Sequence, residues 1–314
     1  MSARQQLTPG FSEKLCFTVT ATGSDEEAAQ VACKWGGGKM DDATLHVLVQ
    51  RMGALAEAQT QARLPQPPAE RQPQRPASTL AVLMVDGWQV RQRGPGWGET
   101  ADGQAARGIS RTQDGRGLLT DKVVVSWQGE PGEWDGACTG RRCGADWAGR
   151  GKRFSWATAR RGSEFEQDRW GGAIGLLDFY HGSQHLWALG QTLHGEEQPA
   201  LTQWVEPRLH RLRHGDEKKV LGEIRRLKLR RSQAGRSQAR EQNYFANHTG
   251  RMNYRSIARR GWPIGSGAVE SACRQKQCRF KRSGQFWTSK GLRHLCALDE
   301  ARRNHHWDQL WQPA

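Results

Sequence analysis

The chain has 314 residues and a mass of 35.2 kDa, enough for one large domain or two ordinary ones with a real hydrophobic core. Lys and Arg number 47 against 32 acids, a net charge of +15, which favours a polyanionic partner such as nucleic acid and argues against an acidic surface binder. No run approaches the ~18 apolar residues of a membrane span, the first residues lack the apolar core of a signal peptide, and seven irregularly spaced cysteines argue for a reducing cytosol rather than a disulfide framework.

Residues 1–64 read as a small all-α unit. Asp25-Glu26-Glu27 opens a helix with Ala28, Ala29, Val31 and Ala32 at helical spacing and Ser24 as N-cap; Gly36-Gly37-Gly38 breaks it. Asp41-Asp42 starts a second helix with Leu45, Leu48, Val49 and Met52 on one face. The pair resembles a helix-turn-helix, and reads equally well as a plain helical hairpin. Residues 65–78 hold five prolines among polar residues, the composition of an extended linker. Residues 79–312 form the second unit.

Leu80-Ala-Val-Leu-Met-Val85 has the unbroken apolar character of a strand buried on both faces, ending at Asp86-Gly87. Lys122–Trp127 and Ile174–Leu177 are two further strand candidates, the latter ending at Asp178. The chain then turns helical. Leu186, Leu189 and Leu193 share one face; Leu209, Leu212, Val220, Leu221, Ile224 and Leu227 share another among basic residues. A last helical stretch begins near Gly267. From Gly132 to Glu164 there are 33 residues without one Leu, Ile, Val or Met, but with seven Gly, six Arg and three Trp. No periodicity can be built from this segment, and no core strand is expected in it.

Two apolar strands end in aspartate, at Asp86 and Asp178, where an α/β sheet places catalytic groups and where a helix-capping aspartate is also common. Glu270 follows Pro263-Ile-Gly-Ser-Gly-Ala-Val and sits in a first helical turn, with Ser266 as a candidate cap. A third carboxylate would complete a site for two divalent cations, which sit ~4 Å apart and polarise the attacking and leaving oxygens of a phosphodiester.

Gly261-Trp-Pro-Ile-Gly-Ser-Gly-Ala-Val-Glu-Ser-Ala-Cys273, with Arg279-Phe-Lys-Arg-Ser-Gly-Gln-Phe-Trp287, resembles the C-terminal signature of bacterial insertion-sequence transposases of the ISKra group. Leu176–Trp187 resembles their Asp-x-x-His motif, through Asp178 and His181. Val85-Asp-Gly87 resembles their first catalytic strand, and Asn304–Trp311 their tail. The resemblance implies an α/β, RNase H-like catalytic core with helical additions behind the small α unit. It implies a DDE triad that binds Mg²⁺ (or Mn²⁺) and cuts and joins DNA at insertion-sequence ends, in the bacterial cytoplasm on the nucleoid, and it allows a homodimer on DNA. Asp86 and Glu270 carry over as the first and third acids and as metal ligands.

The second acid of the group belongs to a Gly-Asp-Gly-Ala-x-Trp-Ile-Trp strand that is missing here. The codons of Trp156–Ser163, TGG GCN ACN GCN CGN CGN GGN TCN, read two bases later as GGC NAC NGC NCG NCG NGG NTC. These permit Gly-Asp-Gly-Ala-Ala-Trp-Ile, with Asp at the Thr158 position. Residues 132–164 therefore read as an out-of-frame, poorly structured passage between compensating indels, and this copy as catalytically impaired. Residues 94–117 are expected to be irregular.

Asp178 is a stand-in for the second acid, or one half of a structural hydrogen bond with His181. DNA contacts are expected from Arg225, Arg226, Lys228, Arg230 and Arg231, within the basic run 208–240, and from Arg279, Lys281 and Arg282. Cys273 and Cys278 have half the spacing pattern of a zinc site, without a second pair. A non-catalytic, basic nucleic-acid-binding protein or a decayed remnant shares the same charge.

Overall fold

A computed structural model describes residues 7–36, 40–62, 81–94, 96–111, 113, 117–128, 153–157, 174–196, 199–228 and 233–312. The linker 65–78 and, apart from 153–157, the passage 132–164 lie outside them, as do Arg230 and Arg231. The fold is mixed α/β and mostly helical. Three helices come first: α1 (Pro9–Ala21), α2 (Asp25–Gly36) and α3 (Asp42–Ala62). Thr8 caps α1, with Pro9 at its first position, and Ser24 Oγ accepts from Glu27 N at 3.0 Å as expected of an N-cap. The sequence reading does not foresee α1.

Five strands form one sheet in the order β3-β2-β1-β4-β5. They are β1 (Ala81–Gln92), β2 (Gly96–Arg111), β3 (Gly117–Gln128), β4 (Arg153–Ala157) and β5 (Ile174–Leu177). β1, β2 and β3 are antiparallel neighbours, whereas β4 and β5 run parallel to β1. Val82, Leu83 and Met84 are all buried, as both-face burial of a central strand requires.

Four expectations are corrected. β1 does not end at Asp86-Gly87 but continues to Gln92, because β2 still pairs with it there. The strand read at 122–127 is present but starts earlier, at Gly117, as β3. Residues 94–117 are not irregular: 96–111 form β2, whose buried positions Thr100, Asp102 and Gln104 alternate with period two but are polar, so no apolar signal announces them. Finally, a strand does occur inside 132–164. β4 pairs with β1 on one side and β5 on the other. Backbone pairing needs extended peptide units, not aliphatic side chains.

The remaining helices are α4 (Phe179–His194), α5 (Pro199–His214), α6 (Glu217–Arg226), α7 (Gln233–Asn247), α8 (Tyr254–Arg259), α9 (Gly267–Phe280) and α10 (Ser289–Arg303). α9 lies on β1 and β2, and α10 on β3 and α3. At the α3–α10 crossing a Cβ on Gly53 would meet the His294 Cβ and carbonyl oxygen at 2.6 Å, so only glycine permits this approach. Side chains of α1, α2 and α3 belong to the same hydrophobic cluster as those of the sheet and of α10. The N-terminal helices are thus docked on the C-terminal ones rather than held apart from them. No helix among the described residues is long and apolar enough to cross a membrane.

Candidate active site and nucleic-acid interface

The register of the parallel strands sets the site. Val85 is the Cα partner of Ala157, and Ala157 of Leu177, so these three make one row across the sheet. The next residue on the first strand is Asp86, and the next after the third is Asp178. Thr158, where the alternative frame would encode Asp, follows Ala157 in sequence and lies outside the described residues.

Asp86 is half-buried, and its Oδ1 accepts the Gly87 N–H at 2.9 Å. Across the ladder Asp86 faces Asp102, and Asp102 faces Ser126. Like charges opposed on one face repel. α9 supplies the counter-charge: Lys276, fully buried, places Nζ 3.0 Å from Asp102 Oδ1 and also donates to Ser126 Oγ. Burial would push the Lys276 ammonium down, but Asp102 above all, with Asp299 and Glu300 behind it, holds it above its ordinary value. Cys273 Sγ lies 3.6 Å from Asp102 Oδ2. Burial, then the Asp102 and Asp86 carboxylates, push its thiol well up, so it is a protonated core residue.

Asp178 is completely buried. Its Oδ1 accepts the backbone N–H of His181 at 2.6 Å, which makes it the N-cap of α4. Its Oδ2 accepts the Ser266 N–H, and the Ser266 hydroxyl at 2.9 Å. The same hydroxyl lies 2.5 Å from Glu270 Oε1. It has one proton, so it serves one carboxylate at a time. The turn is tight: a Cβ on Gly265 would come within 2.8 Å of the Tyr180 ring and 3.2 Å of Asp178 Oδ2. Asp178 is therefore not available as a second catalytic acid, and the Asp-x-x-His motif is a helix cap made through backbone. Glu270 is exposed and oriented through Ser266.

His181 and His185, which the sequence offers with Asp178 as a group that binds a metal or orders the site, lead into a cluster whose other members, Glu241, Tyr244 and His248, the sequence reading missed. His185 donates Nδ1–H to Glu241 at 2.6 Å and stacks on Tyr244 at 3.5 Å; His181 stands edge-on to His185 at 4.9 Å. Burial pushes the Glu241 carboxyl up, but hydrogen bonds from His185 and Arg240 outweigh it and hold it below its usual range. Burial, then His185 and His181, push the His248 imidazole down. Glu241 and Tyr244 on α7, and His248 just past its end, follow one another at about one helical turn, a spacing that lies just beyond the basic run. Among the described residues no group of three or more His, Cys, Asp or Glu is arranged to hold a metal ion. Cys273 is buried and Cys278 exposed, so they are not half of a zinc site, and the five described cysteines are free.

Arg225, Arg226, Lys228, Lys281 and Arg282 are exposed. Arg279 is not. It is buried, and its guanidinium donates to the carbonyls of Val19 at 2.9 Å and Gly23 at 3.3 Å and to Asp25 at 2.5 Å. The expectation that Arg279 contacts DNA is corrected: it clamps the α1–α2 turn, because three acceptors converge on its guanidinium and the residue is only 5% exposed.

Neither a protein-family model nor a curated protein matches this chain.

Proposed function

We propose that the chain is a DDE-type transposase acting in DNA transposition, in a copy whose set of catalytic acids is incomplete. The observation that carries the reading is the placement of Asp86 and Asp178 directly after the row Val85–Ala157–Leu177, on the outer two of three adjacent parallel strands, with Glu270 tied to Asp178 through Ser266. A mixed sheet in the order β3-β2-β1-β4-β5, with α9 laid over β1 and β2, supports an RNase H-like core. The resemblance of residues 261–287 to the ISKra-group signature supports the same reading.

A pair of Mg²⁺ ions needs carboxylates converging from separate elements, with the ions ~4 Å apart. Asp86 on β1 and Glu270 on α9 suit two such donors. Asp178 is not counted as a third, since it is completely buried and bonded to His181 and Ser266 as a helix cap. The described residues do not supply the full donor set, and on this reading the chain as written does not cleave DNA strands. What it retains is charge: exposed Arg225, Arg226, Lys228, Lys281 and Arg282 would contact phosphates and hold DNA without reading its bases. This favours, for this copy, DNA binding without cleavage. The reading carries with it a cytoplasmic, nucleoid-associated location.

The test is nicking of a supercoiled plasmid carrying the sequences that flank the gene, with Mg²⁺ or Mn²⁺, alongside DNA binding at graded salt. The chain as written is expected to bind, with a slope of about −0.9 in log K against log salt for each phosphate neutralised, and not to nick. A frame-corrected chain with Asp at position 158 is expected to gain metal-dependent nicking. Binding indifferent to salt would overturn the DNA reading; nicking by the chain as written would overturn the incomplete acid set.

A further inference from the structure

The end of β1 and the loop between α9 and α10 are stapled together. Arg93 donates its N–H to the Trp287 carbonyl at 2.8 Å, and the Trp287 N–H returns to the Arg91 carbonyl at 3.0 Å. The indole of Trp287 is buried and donates Nε1–H to the Phe280 carbonyl at 2.8 Å. This corner is held by backbone bonds and a core aromatic, so side chains projecting from it have a fixed base.

Two large aromatics at the corner are not buried. Trp97, at the start of β2, is 52% exposed, and Phe286 is 49% exposed. Both rings gather around one guanidinium: Arg91 Cζ is 5.3 Å from the Trp97 ring centre and 5.6 Å from that of Phe286. Lys281 Nζ is 5.3 Å from the Trp97 ring centre. Beside Trp97 lies a hollow of about 280 Å³, whose described lining includes Trp97, Arg91, Lys281, Arg282 and Gln285 and no acid; Phe286 is not part of that lining but follows Gln285 and shares Arg91 with Trp97. Of these three cations only Arg282 has an ion pair among the described residues, with Glu27 at 3.1 Å. Single exposed aromatics are ordinary. Two exposed rings sharing one guanidinium at this corner, beside a hollow with three cations and no acid in its described lining, ask for a ligand that is both planar and anionic.

A nucleobase with its flanking phosphates has that chemistry. In paired duplex the base faces are covered by their neighbours, so only an unpaired base can reach the rings. The geometry points to this corner as a stacking site for an unpaired base of a DNA strand, with Trp97 and Phe286 as the platform and Arg91, Lys281 and Arg282 on the phosphates. The inference rests on the DNA-binding reading above and adds the form of DNA preferred. An exposed tryptophan among cations also suits an anionic membrane surface, so the experiment includes that alternative.

The full chain is titrated against a labelled paired duplex, the same duplex with a few central unpaired thymidines, and phosphatidylserine vesicles. Wild type is expected to bind the unpaired probe more tightly than the paired one. Trp97→Ala and Phe286→Ala should each weaken the unpaired probe about tenfold and the paired probe less than about twofold. Trp97→Phe should restore most of the affinity and Trp97→Leu should not, which separates stacking from apolar packing. Lys281→Ala should weaken both probes and reduce the salt slope by about one. Both rings are half-exposed, so thermal melting of the variants should match wild type. The stacking proposal is overturned if the alanine variants keep the unpaired-probe affinity, lose both probes equally, or lose vesicle binding instead. If wild type binds paired duplex with a steep salt dependence in those cases, the DNA reading stands. If wild type binds neither DNA, both fall.

Discussion

The carboxylate of Asp178 holds Ser266 twice, through the backbone N–H and through the hydroxyl at 2.9 Å. One buried acid thereby joins the end of β5, the start of α4 and the entry to α9. Glu270, one turn into α9, takes its position from the same serine at 2.5 Å. Asp178 acts on the candidate site by orienting its neighbour, without being exposed to any substrate.

Asp178→Asn should therefore act on stability. Its amide would present N–H groups where N–H and O–H donors already point, leaving buried donors unsatisfied at about 1–3 kcal/mol. Ser266→Ala, which removes only the hydroxyl contacts, should cost about 1 kcal/mol. Chemical denaturation of the three proteins checks the order. An Asp178→Asn variant as stable as wild type would show that the carboxylate does not organise this junction.

The Lys276–Asp102 pair is buried at both ends. Removing one partner of such a pair costs about 3–5 kcal/mol, because the other charge is left uncompensated. Lys276→Met should cost that much. Lys276→Met combined with Asp102→Leu should recover most of it, although Ser126 then loses its Lys276 partner. A double mutant no better than the single one would mean that the charges are not what couples β2 to α9.

Arg279 and Lys281 are two residues apart and should behave oppositely. Arg279→Ala removes three hydrogen bonds to the α1–α2 turn and is expected to lower stability by about 2–4 kcal/mol with an unchanged salt slope for DNA. Lys281→Ala, at an exposed position, should leave stability within about 0.5 kcal/mol of wild type while making the salt slope shallower. Melting curves and salt-dependent binding on the same samples separate the two roles.

Acid should weaken the α4–α7 contact. His248 and Glu241 both have folded values below their ordinary 6.5 and 4.5. The unfolded chain then binds more protons in these windows, so stability is fully present above the ordinary values and is lost as pH falls through the folded ones. Thermal midpoints should fall as pH drops below about 6.5, and again below about 4.5. His248→Gln should flatten the first part of the fall. A midpoint that rises on acidification would contradict the burial of neutral His248.

The gene itself tests the frameshift. Its nucleotide sequence across residues 132–164, read in the alternative frame, is expected to be open and to encode Gly-Asp-Gly-Ala-Ala-Trp-Ile with Asp at the Thr158 position. A stop codon there, or another residue in place of that Asp, would remove the explanation. The pairing of Ala157 with Val85 makes the expectation specific, since the restored acid would follow the residue that pairs beside Asp86.

What could be read from the chain alone was whatever announces itself through apolar periodicity or capping chemistry. The run Leu80–Val85 marks a both-face-buried strand, the Leu and Val spacings mark α3, α4, α5 and α6, and Ser24 marks a helix start. Net charge and the Gly-Ser-Gly-Ala-Val-Glu segment pointed toward a partner class and a family resemblance. Tertiary structure decided the rest. β2 hides behind Thr100, Asp102 and Gln104, polar residues that carry no apolar pattern; the burial of Asp102 makes sense only once Lys276 arrives from α9, 174 positions on. β4 is a strand because β1 and β5 offer it backbone partners on both sides. By residue type Arg279 looked like a surface charge, and Asp178 could be either a catalytic acid or a helix cap. Each is buried because remote acceptors or donors converge on it, and that convergence is a property of packing, which no local pattern encodes.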